Sequence, residues 1–194
     1  MLNPLELLGA VLGIAAVFLA ARQNVWNWPL GIINFALYIF VFSQAKLYAQ
    51  VGLQAVYIVL AVYGWWNWLR GGVDRGELRV SRVAPREALL LTLAFALATP
   101  ALALVLARAT DAALPLADSA LTAASLVAQY MMTRKYVECW LVWLAADIAY
   151  VALFIHQSLW PTVGLYVVFC ALAVMGWRDW RASLRRQSTN AAFA

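Results

Sequence analysis

Trp143, Asp147 and Tyr150 are spaced four and three residues apart within one apolar run, so a helix places all three on one face. Asp147 is the only charged side chain at the centre of any apolar run in the chain. A carboxyl group at bilayer depth is costly unless it is paired or faces water, which makes it a site candidate. Set between aromatic rings, it could supply the counter-charge to a cationic ring that stacks on them, an attraction of about 0.5–2 kcal/mol. The bland alternative is a carboxyl hydrogen-bonded to a neighbouring helix. Other runs carry amides and hydroxyls on single faces: Gln50, Gln54 and Tyr57; Thr122, Ser125 and Gln129; Asn34 and Tyr38. Each amide alone reads as interhelical glue. Their convergence with one carboxyl at similar depth suits an exocyclic amide, an amine or ribose hydroxyls. The candidate substrate-binding set is Asp147, Trp143, Tyr150, Gln129, Gln54, Tyr57, Asn34, Tyr38 and Tyr166.

No catalytic residue, metal or cofactor is expected. His156 is the single histidine, and Cys139 and Cys170 lack ligand spacing and read as small buried hydrophobes. A lipid-modifying membrane enzyme would need clustered acids or histidines. There is no G-x-x-x-x-G-K-[S/T] loop, so ATP hydrolysis would require another subunit.

The elements that must position these residues are membrane helices. Of 194 residues 65% are apolar and 12% charged, with mean hydropathy +0.78, far from the balance of a soluble domain. Seven runs approach the ~20 residues that cross a bilayer: about Leu5–Ala21, Trp28–Gln44, Tyr48–Leu69, Ala88–Ala107, Leu116–Met132, Cys139–His156 and Pro161–Trp177. The first has no basic start and carries Glu6 at its beginning, so it reads as a permanent helix and not a cleaved signal. Pro29 and Pro161 fall in first turns, where the missing N–H is harmless, while Pro100 could kink the fourth helix.

Trp28 to Trp68 aligns without a gap on Trp140 to Trp180, 112 residues later, with fourteen of 41 positions identical. Trp28/Trp140, Tyr38/Tyr150, Phe42/Phe154, Gly52/Gly164, Gly64/Gly176, Trp65/Trp177 and Trp68/Trp180 all coincide, and the register extends back to Glu6/Asp118, Arg22/Arg134 and Val25/Val137. This predicts an all-α integral membrane fold of two parallel three-helix repeats (about 3–69 and 115–181) joined by a linker helix (about 88–107). Residues 1–182 then form one transmembrane domain, and 183–194 a flexible cytoplasmic tail. The polar positions diverge between repeats: Phe35 maps onto Asp147, Gln54 onto Tyr166, Val17 onto Gln129 and Asn34 onto Ala146. An asymmetric solute between two similar walls would require that divergence.

Across seven spans, twelve of the fourteen Lys and Arg residues fall on one side, leaving Lys46 and Arg108 on the other. The positive-inside rule puts the N-terminus outside and the C-terminus in the cytoplasm of an inner membrane. The same placement accounts for the net charge of +5 without nucleic acid. Trp65, Trp68, Trp177 and Trp180 close equivalent helices at the inner boundary, as an aromatic belt or, in the sharper reading, a gate.

Trp26-Asn27-Trp28-Pro29-Leu30-Gly31, Lys46-Leu47-Tyr48-Ala49-Gln50, Gly64-Trp65-Trp66-Asn67-Trp68 and Gly176-Trp177-Arg178-Asp179-Trp180 resemble the PnuC family of vitamin transporters, over about residues 5–182. The resemblance implies a three-plus-one-plus-three fold similar to the SWEET sugar transporters, commonly trimeric. It implies facilitated diffusion of nicotinamide riboside through a central site, with trapping by a cytosolic kinase. It also implies a ligand site built from amides and aromatics on helices 3, 5, 6 and 7. Relatives associated with thiamine or riboflavin leave the vitamin open. A membrane receptor that binds without transport is the reading of a different class.

Overall fold

The computed structural model describes residues 4–44, 46, 48–109, 115–156 and 158–192. Leu47 of the Lys46–Gln50 motif, residues 193–194 of the tail, and the side chains of Glu6, Ala49 and Ala107 lie outside what it describes. Among the described residues there are seven α-helices and no strand: α1 Pro4–Ala21, α2 Asn27–Gln44, α3 Tyr48–Arg70, α4 Pro85–Ala109, α5 Pro115–Thr133, α6 Cys139–His156 and α7 Trp160–Ala192. Prolines stand at or near the start of α2, α4, α5 and α7, where φ is already helical and no N–H is lost. α4 continues through Pro100.

Among the described residues three stretches are long and apolar enough by composition to cross a bilayer: Pro85–Leu106, Cys139–His156 and Trp160–Thr189. Leu7–Ala21 of α1 is apolar but shorter, and α2, α3 and α5 carry amides and hydroxyls. α1 packs against α2 and α7, α2 against α3, α3 against α5, and α6 between α5 and α7, so six helices close a ring. α4 stands outside it against α5, with Leu89, Leu90, Leu93, Leu97 and Leu104 exposed, as a lipid-facing helix requires.

The apolar core gathers where the arginine-rich loops meet the bundle. Trp28 lies against Gly64 and edge-on to Trp68, at 5.2 Å and 88°; Trp140 lies against Gly176 and edge-on to Trp180, at 5.4 Å and 88°. A glycine is required at both places, because a Cβ there would sit 2.4 Å from the indole. Trp68 and Trp180 meet each other at 5.8 Å. Each also donates its indole N–H across the ring of helices, Trp68 to the Met132 carbonyl (3.0 Å) and Trp180 to the Ala20 carbonyl (3.2 Å). Asn67 Nδ2 to Thr133 O (2.8 Å), Arg134 Nη1 to the Tyr63 hydroxyl (3.5 Å) and Arg22 to Asp179 (3.4 Å) tie the same end.

The α3–α4 connector is docked there too. Leu78 N–H donates to Trp68 O, Ser81 pairs its backbone with Lys135 and Val137, and Val83 N–H reaches Glu138 Oε2. Lys135 is buried beneath the connector, donating to Leu78 O at 2.9 Å and lying 4.5 Å from the Trp68 ring centre. Burial pushes its pKa down. Donating hydrogen bonds to the Tyr63 and Tyr136 hydroxyls holds the neighbouring Arg134 guanidinium above its usual range.

α7 differs from the sequence expectation. Composition after Trp180 suggested a frayed tail from residue 183, but the helix continues to Ala192. Arg, Leu, Ala and Gln are good helix formers, and the Ser188 and Thr189 hydroxyls bond back to the carbonyls four residues before them.

Candidate functional site

A cavity of about 680 Å³ runs down the middle of the six-helix ring. All nine substrate-binding candidates line it: Asn34 and Tyr38 from α2, Gln54 and Tyr57 from α3, Gln129 from α5, Trp143, Asp147 and Tyr150 from α6, and Tyr166 from α7. The three-and-four spacing that put them on single helical faces is what turns them inward together. At one end lie Leu7, Phe42, Gln50 and Thr162; at the arginine-rich end the floor is Ala20, Trp28, Met132, Trp140 and Ala173.

Asp147 is buried at 6% exposure, and no hydrogen bond or ion pair joins its carboxyl to another described residue. The reading of Asp147 as a carboxyl bonded to a neighbouring helix therefore finds no partner for it. No Lys, Arg, His or Glu lines the cavity among the described residues, so Asp147 is its one carboxylate. Aromatic rings line the cavity on both sides of the bundle. Phe35 stacks on Tyr57 at 5.2 Å and 21°; Tyr150 meets Tyr166 at 4.9 Å; Tyr166 stands perpendicular to Phe169 at 5.7 Å. Tyr38 stacks on Phe42 and Tyr150 on Phe154 in the same way, at 5.6 and 5.8 Å. The Oδ1 of Asn34 and the Oε1 of Gln54 are buried without a hydrogen-bond donor among the described residues. Buried amide oxygens left in that condition favour a ligand that brings donors. Chemically, the cavity can desolvate a flat ring between phenyl and phenol faces, oppose one positive charge and read hydrogen-bond donors. Among the described residues it offers no cationic side chain to a phosphate.

Ser125, noted in the sequence on the face of Gln129, also lines the cavity, whereas Thr122 of the same face does not. Its hydroxyl donates to Leu121 O at 2.8 Å. Sequence reasoning missed Trp28, Trp140, Phe35, Asn27 and Phe169. The signal was present for Trp28 and Trp140, since each is matched with a glycine 36 residues later, Gly64 and Gly176. Gly13 keeps α1 close: a Cβ there would stand 3.4 Å from Asn34 Nδ2 and 3.5 Å from Phe169 Cζ. The four tryptophans proposed as a gate divide. Trp68 and Trp180 are buried under the cavity floor. Trp65 is exposed and Trp177 half-buried beneath Arg181, and neither lines the cavity.

The sequence family described as nicotinamide mononucleotide transporter matches residues 3–182. The chain belongs to the nicotinamide mononucleotide transporter family. This family consists of membrane transporters and not enzymes. The nicotinamide riboside transporter PnuC of Escherichia coli K12 is 29% identical over 98% of this chain and 90% of its own. The riboflavin/roseoflavin transporter RibM of Streptomyces davaonensis is 31% identical over 94% and 87%. Among solved structures, that of the vitamin B3 transporter PnuC superposes with a TM-score of 0.75 at 26% identity, covering 94% of this chain and 82% of its own. Membership of the transporter family and the apolar helices place the chain in a membrane.

Proposed function

We propose that the chain imports a vitamin, nicotinamide riboside first among them, by facilitated diffusion through the central cavity. The observation that carries the reading is Asp147, buried in the cavity wall without a partner among the described residues, in a cavity lined by stacked aromatic rings and amide oxygens. A pyridinium ring is flat, positively charged and carries a carboxamide; its riboside adds hydroxyl donors. Each finds a complement in the cavity.

Alternating access would rock α1–α3 against α5–α7 as two parallel repeats, with α4 as the linker. The matched Trp28–Gly64 and Trp140–Gly176 contacts, and the matched indole bonds of Trp68 and Trp180, support that division. Trp68 and Trp180 are the gate at the arginine-rich, cytoplasmic end, a reading supported by their burial beneath the cavity floor. Trp65 and Trp177 fit the aromatic belt. A homotrimer, an outside N-terminus, residues 1–182 as one domain and the product trapped by a kinase complete the reading. No coupling ion is needed for a carrier whose product is chemically consumed.

The relation to RibM favours a second reading, riboflavin, whose isoalloxazine is also flat but carries no positive charge. A thermal-shift panel of nicotinamide riboside, thiamine and riboflavin on purified protein separates the two, followed by flux of the stabilising compound into proteoliposomes. Stabilisation by riboflavin alone would reject the cationic substrate; binding without flux would make the protein a receptor.

A further inference from the structure

Past the membrane-spanning part of α7, Arg178, Arg181 and Arg185 follow one another at spacings of three and four, on one helical face. With Trp177 and Ala182 they line a surface groove separate from the central cavity. The Arg181 guanidinium lies 5.1 Å from the centre of the Trp177 ring. None of the three arginines is in an ion pair among the described residues; the nearby acid, Asp179, is taken by Arg22. Three guanidiniums crowded on two turns without an acid repel one another and favour an anion.

The same face continues into the apolar part of the helix as Val174, Ala171 and Val167, again at spacings of three and four, and all three are exposed. Charged heads at the helix end, a tryptophan at the boundary and an open apolar stripe beyond it match one molecule: an amphiphile with an anionic head. The topology rule asks for positive charge at this end of the bundle, but it does not ask for this face. The positions 112 residues earlier are Trp66, Leu69 and Val73, exposed and uncharged. Also, α3 stops at Arg70, whereas α7 runs on as a helix and holds Arg181 and Arg185 in line.

We propose that this groove binds the phosphate headgroup of an anionic phospholipid, whose acyl chains lie along Val174, Ala171 and Val167. The site is independent of the carrier reading and of the vitamin carried.

Native mass spectrometry of the full-length protein, delipidated and then offered phosphatidylglycerol or phosphatidylcholine, tests it. The wild type should retain phosphatidylglycerol about tenfold better. The triple variant Arg178→Gln/Arg181→Gln/Arg185→Gln should lower that preference to near parity, while Arg79→Gln/Arg82→Gln/Arg86→Gln, with the same loss of charge, keeps it. Melting temperatures in detergent, unchanged in both triples, report that each is folded. Equal retention of the two lipids by the wild type would overturn the proposal. So would an equal loss in the connector triple, which means diffuse charge and no site, or full displacement by inorganic phosphate, which means a free anion and no lipid.

Discussion

The indole N–H of Trp68 donates to Met132 O at 3.0 Å, and that of Trp180 to Ala20 O at 3.2 Å; donors and acceptors alike are 112 residues apart. The two rings also meet at 5.8 Å. Matched halves thus clasp each other with the same bond used twice. Trp68→Phe and Trp180→Phe keep a ring in place and remove only the donor. Each should release about 1 kcal/mol of closure, roughly a fivefold shift towards the state open at the arginine-rich end. Maleimide labelling of a cysteine at Ala173, on the cavity floor, in a background with Cys139→Ser and Cys170→Ser, measures this from that side of sealed vesicles. Both variants should label faster, and by similar factors. A change in one variant only would mean that the two bonds are not equivalent latches.

Glycine packing gives a stability test with a built-in control. Gly64→Ala and Gly176→Ala drive a methyl group to 2.4 Å from Trp28 or Trp140, so each should destabilise by about 1–3 kcal/mol. The helical glycines Gly52 and Gly164 also align with one another, yet nothing stands within 4 Å of a Cβ there. Gly52→Ala and Gly164→Ala should be neutral or stabilising, since alanine is the better helix former by up to ~1 kcal/mol. Melting temperatures of the four variants check the contrast.

Phosphorylated substrate should be rejected. Asp147 is the only carboxylate lining the cavity and no described Lys or Arg lines it, so a phosphate would lose its hydration with no cation to meet it. Proteoliposome flux of nicotinamide mononucleotide should stay near background under conditions that carry the riboside. Equal flux of the two would require a cationic route outside the cavity.

Much of this arrangement is legible in the sequence, and the reasons differ residue by residue. Asp147, Trp143 and Tyr150 declare a shared face through their spacing, and polar groups inside apolar runs have few places to go other than an interior. The recurrence of Trp28 and Gly64 as Trp140 and Gly176 marks a contact that needs both a large and an absent side chain. The indole bonds of Trp68 and Trp180 leave no such trace, because their acceptors are the backbone carbonyls of Ala20 and Met132, which any residue could supply. Trp65 and Trp68 differ by one helical turn less about sixty degrees, enough to bury one and expose the other, and only packing decides which. The docking of the connector through Ser81 and Leu78 is likewise backbone pairing. The helix after Trp180 was hidden by a composition read as polar tail, although its individual residues favour helix.

The most direct test of the account is uptake of labelled nicotinamide riboside by proteoliposomes holding the wild type or Asp147→Asn, with riboflavin measured alongside. The asparagine keeps shape and removes charge. Uptake of the cationic riboside should weaken roughly 10- to 150-fold, the ~1.5–3 kcal/mol of a charge-assisted contact, while the variant remains folded and binding of a neutral flat compound is unaffected or improved. Wild-type uptake of nicotinamide riboside by Asp147→Asn would contradict the claim that this carboxyl receives the substrate's charge.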